Sequence, residues 1–380
     1  MKIGIITILK VNNYGAELQA YATQAILKML GYEAEIIDYL FYKNSAHKRT
    51  NMEKPVFPFP FAVKVKEWLY PKLMAIRAIQ YRKAQRERVR RFELFHQENT
   101  SMSVTYRSMD ELYAAHVDYD IYMTGSDQVW NPGIYSSLNP YFLTFAPQGA
   151  KRISYAASFG VSCLPEDAKE YYRQKLQAYR AIGVREKDAV EIVKEVSGRK
   201  AEWVLDPTLL LGRQEWMEVA RVYPVEGNYI LIYELTPCPY IRQLAGHFHK
   251  EKGWRIVRVC KSASPEDKDG EVLNVVDAGP AEFLSLIAHA ALVITNSFHG
   301  TAFSVNFQRD FYTILPRRKQ NNSRQRSLLE LLGLMDRLLV EGAPWPVISE
   351  VNMDYAHVNK RLEEERNKSI LFLKSAIDGE

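Results

Sequence analysis

Along most of this chain, short unbroken apolar runs alternate with longer stretches whose apolar positions recur every three to four residues. That is the pattern of buried strands and amphipathic helices in turn. Ile3 to Leu9 reads as a buried strand, Ala16 to Leu30 as a helix ending at Gly31, and Glu33 to Tyr39 as a second strand. The alternation resumes with strands at Asp120 to Thr124 and Arg152 to Ala157, a helix at Glu166 to Tyr179, a strand at Ile182 to Val184, a helix at Glu186 to Val196 and a strand at Ala201 to Leu205. A second round starts near Gly212. Its strands are Tyr229 to Tyr233, Arg255 to Cys260, Leu273 to Val276, Leu292 to Thr295 and Phe311 to Leu315, and its helices include Tyr240 to Lys252, Ala281 to His289 and Arg324 to Leu332. Met353 to Ile377 reads as one long charged helix.

Strands alternating with helices predict an α/β fold with mostly parallel, doubly wound sheets. A chain of 380 residues with an ordinary apolar share of 47% exceeds what one core serves, so two Rossmann-like domains are expected. Residues 1–208 would form the first, carrying a basic helical insertion at about 43–97. Residues 209–345 would form the second, and 346–380 a helix returning to the first.

Several classes are excluded as expectations. No run approaches the ~18 apolar residues of a membrane span, and the start lacks a signal-peptide pattern, so a cytoplasmic protein is expected. Cys163, Cys238 and Cys260 are odd in number without metal spacing, and the eight His form no H-x-x-x-H pair, which argues for reduced thiols and no structural zinc. The net charge of +5 conceals an asymmetry: Lys43 to Arg91 holds fourteen Lys and Arg against three Glu, a local +11 that leaves −6 for the rest. Its cations, among them Lys64, Lys66, Lys72, Arg77, Arg82, Lys83, Arg86, Arg88, Arg90 and Arg91, interleave with apolar residues. That suits an anionic membrane surface or a diphosphate-linked substrate, and equally a solvated helix with one face on the core; nucleic acid is not expected.

Ligands of open parallel sheets bind beyond the carboxyl ends of the strands, so the loops there hold the candidate chemistry. After the first strand come Asn13, Tyr14 and Gln19, without the G-x-G-x-x-G fingerprint, so NAD is not expected and no cofactor is assigned. After Thr124 come Asp127, Gln128, Trp130 and Asn131, which suit a sugar: an indole stacks on the ring while carboxylate and amides take hydroxyls. A turn with Trp130 as core filler is the structural alternative. Arg185 follows Val184 as a candidate anion clamp, or else as a surface partner of Glu186 or Asp188. In the second half, Asn296, Ser297 and His299 follow a buried strand directly, with a helix expected to start near Phe298 and offer N–H groups to an anion. Arg317, Arg318, Lys319, Arg324 and Arg326 form a basic loop entering a helix.

Taken in order, Asn13 to Gln19, Gly125 to Asn131, Ser154 to Gly160, Val184 to Glu186, Asp206 to Thr208, Asn296 to Thr301, and Ser323 to Gly333 with Asp336 and Arg337 resemble the polysaccharide pyruvyl transferase family. The resemblance implies a GT-B fold, two Rossmann-like domains facing a cleft, with acceptor on the first and donor on the second. It also implies transfer of pyruvate from phosphoenolpyruvate, a co-substrate, to a sugar as a cyclic ketal. His299 matches the family's general acid and Arg185 its donor arginine, while Asp127 is a candidate base or hydroxyl-orienting group. From their own chemistry rather than from the resemblance, Arg324 and Arg326 are further candidate donor ligands beside Asn296 and Ser297, and Asn13, Tyr14, Gln19, Gln128, Trp130 and Asn131 are the candidate acceptor ligands. A lipid-diphosphate-linked sugar and a peripheral position at the inner face of the plasma membrane complete the expectation. One departure is that some relatives carry Arg where this chain has Ser297, so the missing cation must come from elsewhere. The rival readings are a nucleotide-sugar glycosyltransferase on the same fold and a non-catalytic sugar-binding subunit.

Overall fold

The computed structural model describes residues 1–58, 65, 69, 81–262, 271–317, 323–346 and 353–379. The expected basic positions Lys64, Lys66, Lys72, Arg77, Arg318 and Lys319 lie outside them. In chain order the elements are β1 (Lys2–Ile6), α1 (Tyr14–Met29), β2 (Glu33–Ile36), α2 (Arg82–Asn99), α3 (Met109–Ala114), β3 (Ile121–Thr124), β4 (Lys151–Ala157), α4 (Lys169–Leu176), β5 (Ala181–Val184), α5 (Lys187–Ser197), β6 (Glu202–Trp203) and α6 (Arg213–Val219). They continue with β7 (Tyr229–Tyr233), α7 (Pro239–Lys252), β8 (Arg255–Val259), β9 (Val272–Val275), α8 (Pro280–Ala288), β10 (Leu292–Thr295), α9 (Phe298–Asn306), β11 (Phe311–Leu315), α10 (Ser323–Leu332), β12 (Leu338–Val340) and α11 (Tyr355–Asp378).

Two units result. The first holds Met1–Phe59, Asn99–Leu211 and Leu362–Glu380, the second Pro60–Glu98 and Gly212–Arg361. Each is built on a six-stranded sheet, in the orders β2-β1-β3-β4-β5-β6 and β12-β11-β10-β7-β8-β9. The described pairings in both are parallel. Helices cover both faces of such sheets, which is why β7, β10 and β11 are buried at every position and apolar except for Thr295 and Thr313.

In the first unit, α1 begins where Asn13 Oδ1 accepts the N–H groups of Gly15 and Ala16, at 3.0 and 3.3 Å. Its core includes Trp130, Phe142, Phe159, Tyr172 and Tyr179. The chain end returns to this unit as expected: Leu205 N donates to Ser369 Oγ at 2.9 Å, and Arg366 Nε to the Leu209 carbonyl at 2.6 Å. Gly183 on β5 is needed there, because a Cβ would sit 2.5 Å from the Phe372 ring and 2.9 Å from the Ser154 carbonyl oxygen.

The insertion expected at about 43–97 of the first domain is corrected: the chain divides inside it, and α2 up to Glu98 groups with the second unit. Phe92 and Phe95 are buried, Arg88 donates to the Cys260 carbonyl at 3.4 Å, and Arg91 pairs with Asp277 at 3.3 Å. Part of the basic run is therefore spent on packing, while Arg82, Lys83, Arg86 and Arg90 remain exposed. An amphipathic pattern states that one face will be covered, not by which core. No helix among the described residues is long and apolar enough to cross a membrane.

Candidate functional site

In each sheet the strand order reverses direction once, and ligands of such sheets bind beyond the carboxyl ends at that point. The reversal lies between β1 and β3 in the first sheet and between β7 and β10 in the second. Both fall on loops that the sequence marks for chemistry.

In the first unit, the Thr7 hydroxyl donates to the Ser126 carbonyl at 2.7 Å and accepts from Gln19 Nε2 at 2.9 Å, tying the two loops together. Gln19 is fully buried and its Oε1 has no hydrogen-bond partner, an unsatisfied acceptor at the switch point. Asn13 serves as the helix cap and Tyr14 is buried at 1% exposure, so these two expected acceptor ligands are mainly structural. Asn131 Nδ2 donates to Gln128 Oε1 at 2.6 Å, and both side chains are half-buried.

Trp130 is a correction. Its side chain is fully buried, its indole N–H donates to the Tyr141 carbonyl at 3.1 Å, and its ring stacks on Phe142 at 5.2 Å between centroids. A ring with its faces packed cannot stack on a sugar. The segment does present Asp127, whose backbone sits at φ 75°, a left-handed conformation that Asp tolerates better than most residues. Its carbonyl accepts from Val129 N at 2.8 Å and Ser158 N at 3.0 Å, which pins the turn.

Arg185 lies in the interior. Its side chain is 1% exposed, with Nη1 donating to Asp206 Oδ2 at 2.8 Å and Nη2 lying 3.5 Å from Asp127 Oδ1. It is therefore not a surface partner of Glu186 or Asp188. Glu186 is buried too, and its Oε1 accepts from Ser158 Oγ at 2.9 Å, Phe159 N at 3.1 Å and Gly160 N at 3.3 Å. Burial opposes the charge of Arg185, yet Asp206, Asp127 and Glu186 outweigh it and push its pKa up, so the guanidinium stays ionised. Asp206 and Ser126 were missed as site residues: the Asp-Pro pair reads as a turn, and its carboxylate meets Arg185 only in the fold.

In the second unit, Ser297 caps α9 through its hydroxyl, which accepts from Gly300 N at 3.3 Å, as expected from the sequence. His299 follows in the first turn, buried at 6% exposure with its ring edge-on to Phe298. Gly300 lets this turn lie against β10, since a Cβ there would come within 3.0 Å of Thr295 Cβ. Asn296 is 6% exposed and holds the facing loop: Oδ1 accepts from Leu235 N at 2.8 Å and Nδ2 donates to the Thr236 carbonyl at 2.6 Å. Its amide thus shapes the site, a positioning duty in place of the expected donor contact. From α10, Gln325 Nε2 donates to the Asn296 carbonyl at 3.3 Å, so this helix start adjoins the same loop. Arg324 on it is half-buried and Arg326 exposed. Beside Leu235, Glu234 accepts from Arg258 at 3.4 Å and Arg242 at 3.5 Å, two cations that the sequence reading passed over. No group of three or more His, Cys, Asp or Glu able to hold a metal ion occurs among the described residues.

Among solved structures, the chain is similar to the UDP-GlcNAc 2-epimerase of Neisseria meningitidis bound to UDP-GlcNAc, with 9% identity, 99% of this chain and 94% of that one covered, and a TM-score of 0.50. It is also similar to UGT89C1 of Arabidopsis thaliana, with 11% identity, 99% of both chains covered and a TM-score of 0.50. The E. coli heptosyltransferase WaaC matches at 13% identity over 96% and 99% of the two chains, with a TM-score of 0.41. At these identities the likeness concerns the fold alone, and that to the epimerase and to UGT89C1 agrees with two Rossmann-like domains of the GT-B type. No curated protein matches the sequence. The profile of the polysaccharide pyruvyl transferase family matches residues 13–316, from the cap of α1 to the end of β11, and the chain belongs to that family.

Proposed function

We propose that the protein transfers pyruvate from phosphoenolpyruvate to two hydroxyls of one sugar, closing a cyclic ketal and releasing phosphate. The observation that carries this reading is His299, buried in the first turn of α9 at the switch point of the second sheet, in a chain of the pyruvyl transferase family. An enol phosphate adds an alcohol once its methylene carbon is protonated, so a proton donor beside an anion-holding helix start is what the first step needs. His299 gives the proton to that carbon, and the sugar oxygen bonds to the neighbouring carbon as the hydroxyl proton is taken up by Asp127. The second hydroxyl then displaces phosphate, which leaves with the electrons of its C–O bond while the hydroxyl proton returns to His299. The cation that relatives supply at the position of Ser297 comes here from Arg324, with Arg326 at the rim. The acceptor sugar is carried on a lipid diphosphate, and the exposed cations Arg82, Lys83, Arg86 and Arg90 meet the anionic membrane surface at about 1 kcal/mol each before salt screening.

The test is incubation of the purified protein with phosphoenolpyruvate and soluble or lipid-linked galactosides, reading phosphate release and product mass. A mass gain of one pyruvyl ketal with matching phosphate is expected. His299→Ala should lower turnover by about 10²- to 10⁴-fold with donor affinity retained. Glycosyl transfer from a nucleotide sugar without any ketal product would overturn the reading.

A further inference from the structure

We infer that the turn from β7 into α7, closed by Glu234, Pro237 and Pro239, is a specificity element that keeps nucleoside diphosphates out of the second unit and leaves the donor phosphate its seat at α9; that seat rests on the pyruvyl-transfer reading above. In the strand order β12-β11-β10-β7-β8-β9, β7 is the first strand of this sheet in sequence and lies at the reversal. Its turn corresponds to the one that a dinucleotide-binding sheet uses for a pyrophosphate, with glycines that let the backbone approach and helix-start N–H groups that hold the oxygens. Here the turn runs from Glu234 to Pro239 without a glycine. Pro237 and Pro239 carry no N–H at all. The N–H of Leu235 is given to Asn296 Oδ1 at 2.8 Å, and that of Cys238 to Glu234 Oε2 at 3.2 Å.

Glu234 then fills this seat with an anion of the protein's own. Its side chain is 7% exposed, and Oε1 accepts from Arg258 Nη1 at 3.4 Å and Arg242 Nη2 at 3.5 Å. A carboxylate set between two guanidiniums and a helix start takes the position that a phosphate would need, and a phosphate brought there would meet its like charge at close range. Arg258 is not turned outward to compensate. Its Nε donates to Asn274 Oδ1 at 3.0 Å and its Nη2 to the Ser262 carbonyl at 3.2 Å, which fixes the guanidinium against β9 and the loop after β8. What the turn does expose is the Leu235 side chain, at 49%. A diphosphate lying against an apolar side chain, with the neighbouring N–H groups spent or absent, would leave its charges unpaired.

The experiment titrates UDP, pyrophosphate and phosphoenolpyruvate by calorimetry into wild type, Glu234→Gln, Glu234→Ala and the Glu234→Ala/Arg242→Gln double variant. The wild type should bind UDP and pyrophosphate too weakly to measure. Glu234→Gln, which removes the internal anion, and Glu234→Ala, which also opens the space, should each gain about tenfold or more in pyrophosphate affinity, the scale of one charge-assisted contact, and the double variant should lose most of that gain. A Glu234 that served stability alone would weaken the fold without creating diphosphate affinity. Measurable UDP binding by the wild type, or pyrophosphate affinity unchanged in both single variants, would overturn the inference. Glu234→Gln still accepts the Cys238 N–H and carries the test where Glu234→Ala does not fold. Phosphoenolpyruvate separates the two readings: if the wild type neither binds it nor makes a ketal, the pyruvyl-transfer reading falls, while the gain or its absence in the Glu234 variants still decides whether the turn is closed to diphosphates.

Discussion

Asn296 Oδ1 accepts the backbone N–H of Leu235 at 2.8 Å, so one side-chain amide joins the loop after β10 to the loop after β7. Because its Nδ2 also donates to the Thr236 carbonyl, replacing it by Ala strands a donor and an acceptor at the switch point. Asn296→Ala should cost about 1 to 3 kcal/mol, and Asn296→Asp, which keeps one acceptor but sets a carboxylate oxygen against the Thr236 carbonyl, at least as much. Urea denaturation of the two variants tests this; equal stability of Ala and wild type would show that the bridge contributes nothing.

Gly300→Ala separates two effects of opposite sign. Helix propensity alone would favour Ala by about 1 kcal/mol. The Cβ, however, would lie within 3.0 Å of Thr295 Cβ and 3.1 Å of its Cγ2, forcing the first turn of α9 off β10. We expect net destabilisation together with reduced turnover, since His299 rides on that turn. A more stable and fully active variant would mean that the contact relaxes freely.

Glu53 anchors the stretch after β2. It is fully buried, accepting from Met109 N at 2.6 Å and from the Tyr39 hydroxyl at 3.2 Å, with His47 Nε2 at 2.5 Å. Removing this buried carboxylate strands the Met109 N–H and the Tyr39 hydroxyl, at about 1 to 3 kcal/mol for each unsatisfied group, so Glu53→Ala should lower the unfolding midpoint sharply. A loss within the range of a surface mutation would show that water replaces the carboxylate.

High pH should unfold the protein cooperatively. Burial raises the Tyr155 and Tyr172 hydroxyls well above the ordinary 10.0, and raises Tyr113 to about 12 against a smaller opposing hydrogen bond from Thr144. These groups keep their protons more tightly when folded, so their contribution is complete below pH 10.0 and is lost as pH rises from there through the folded values. Tyrosinate absorbance and loss of circular dichroism should therefore coincide. Gradual ionisation at constant dichroism would contradict the burial of these rings.

What the sequence disclosed follows from the range of the forces involved. The strand Leu292–Thr295 and the Ser297 cap are local: a strand covered on both faces is a nearly continuous apolar run, and a cap is chosen by its own next three residues. Trp130 illustrates what was not legible, because the same indole beside Asp127 suits a sugar or a core, and Phe142 and Tyr141 decide the matter from another segment. The pairing of Arg185 with Asp206 likewise joins the ends of β5 and β6, although both residues stand in recognisable motifs. β12, at three residues, is too short to leave a pattern.

The division of α11, with Tyr355 to Arg361 in one unit and Leu362 onward in the other, sets an order of assembly during synthesis. Chains emerge from the ribosome amino end first, and domains tend to fold as soon as they are whole. Here the second unit is complete once Arg361 has emerged. The first still lacks Ser369 for the Leu205 N–H, the Phe372 ring over Gly183, and the buried Leu373 and Ile377. The half that begins the chain is thus the last to close, and a nascent protein stalled near Arg361 would display an open apolar seam along β5 as a target for chaperones.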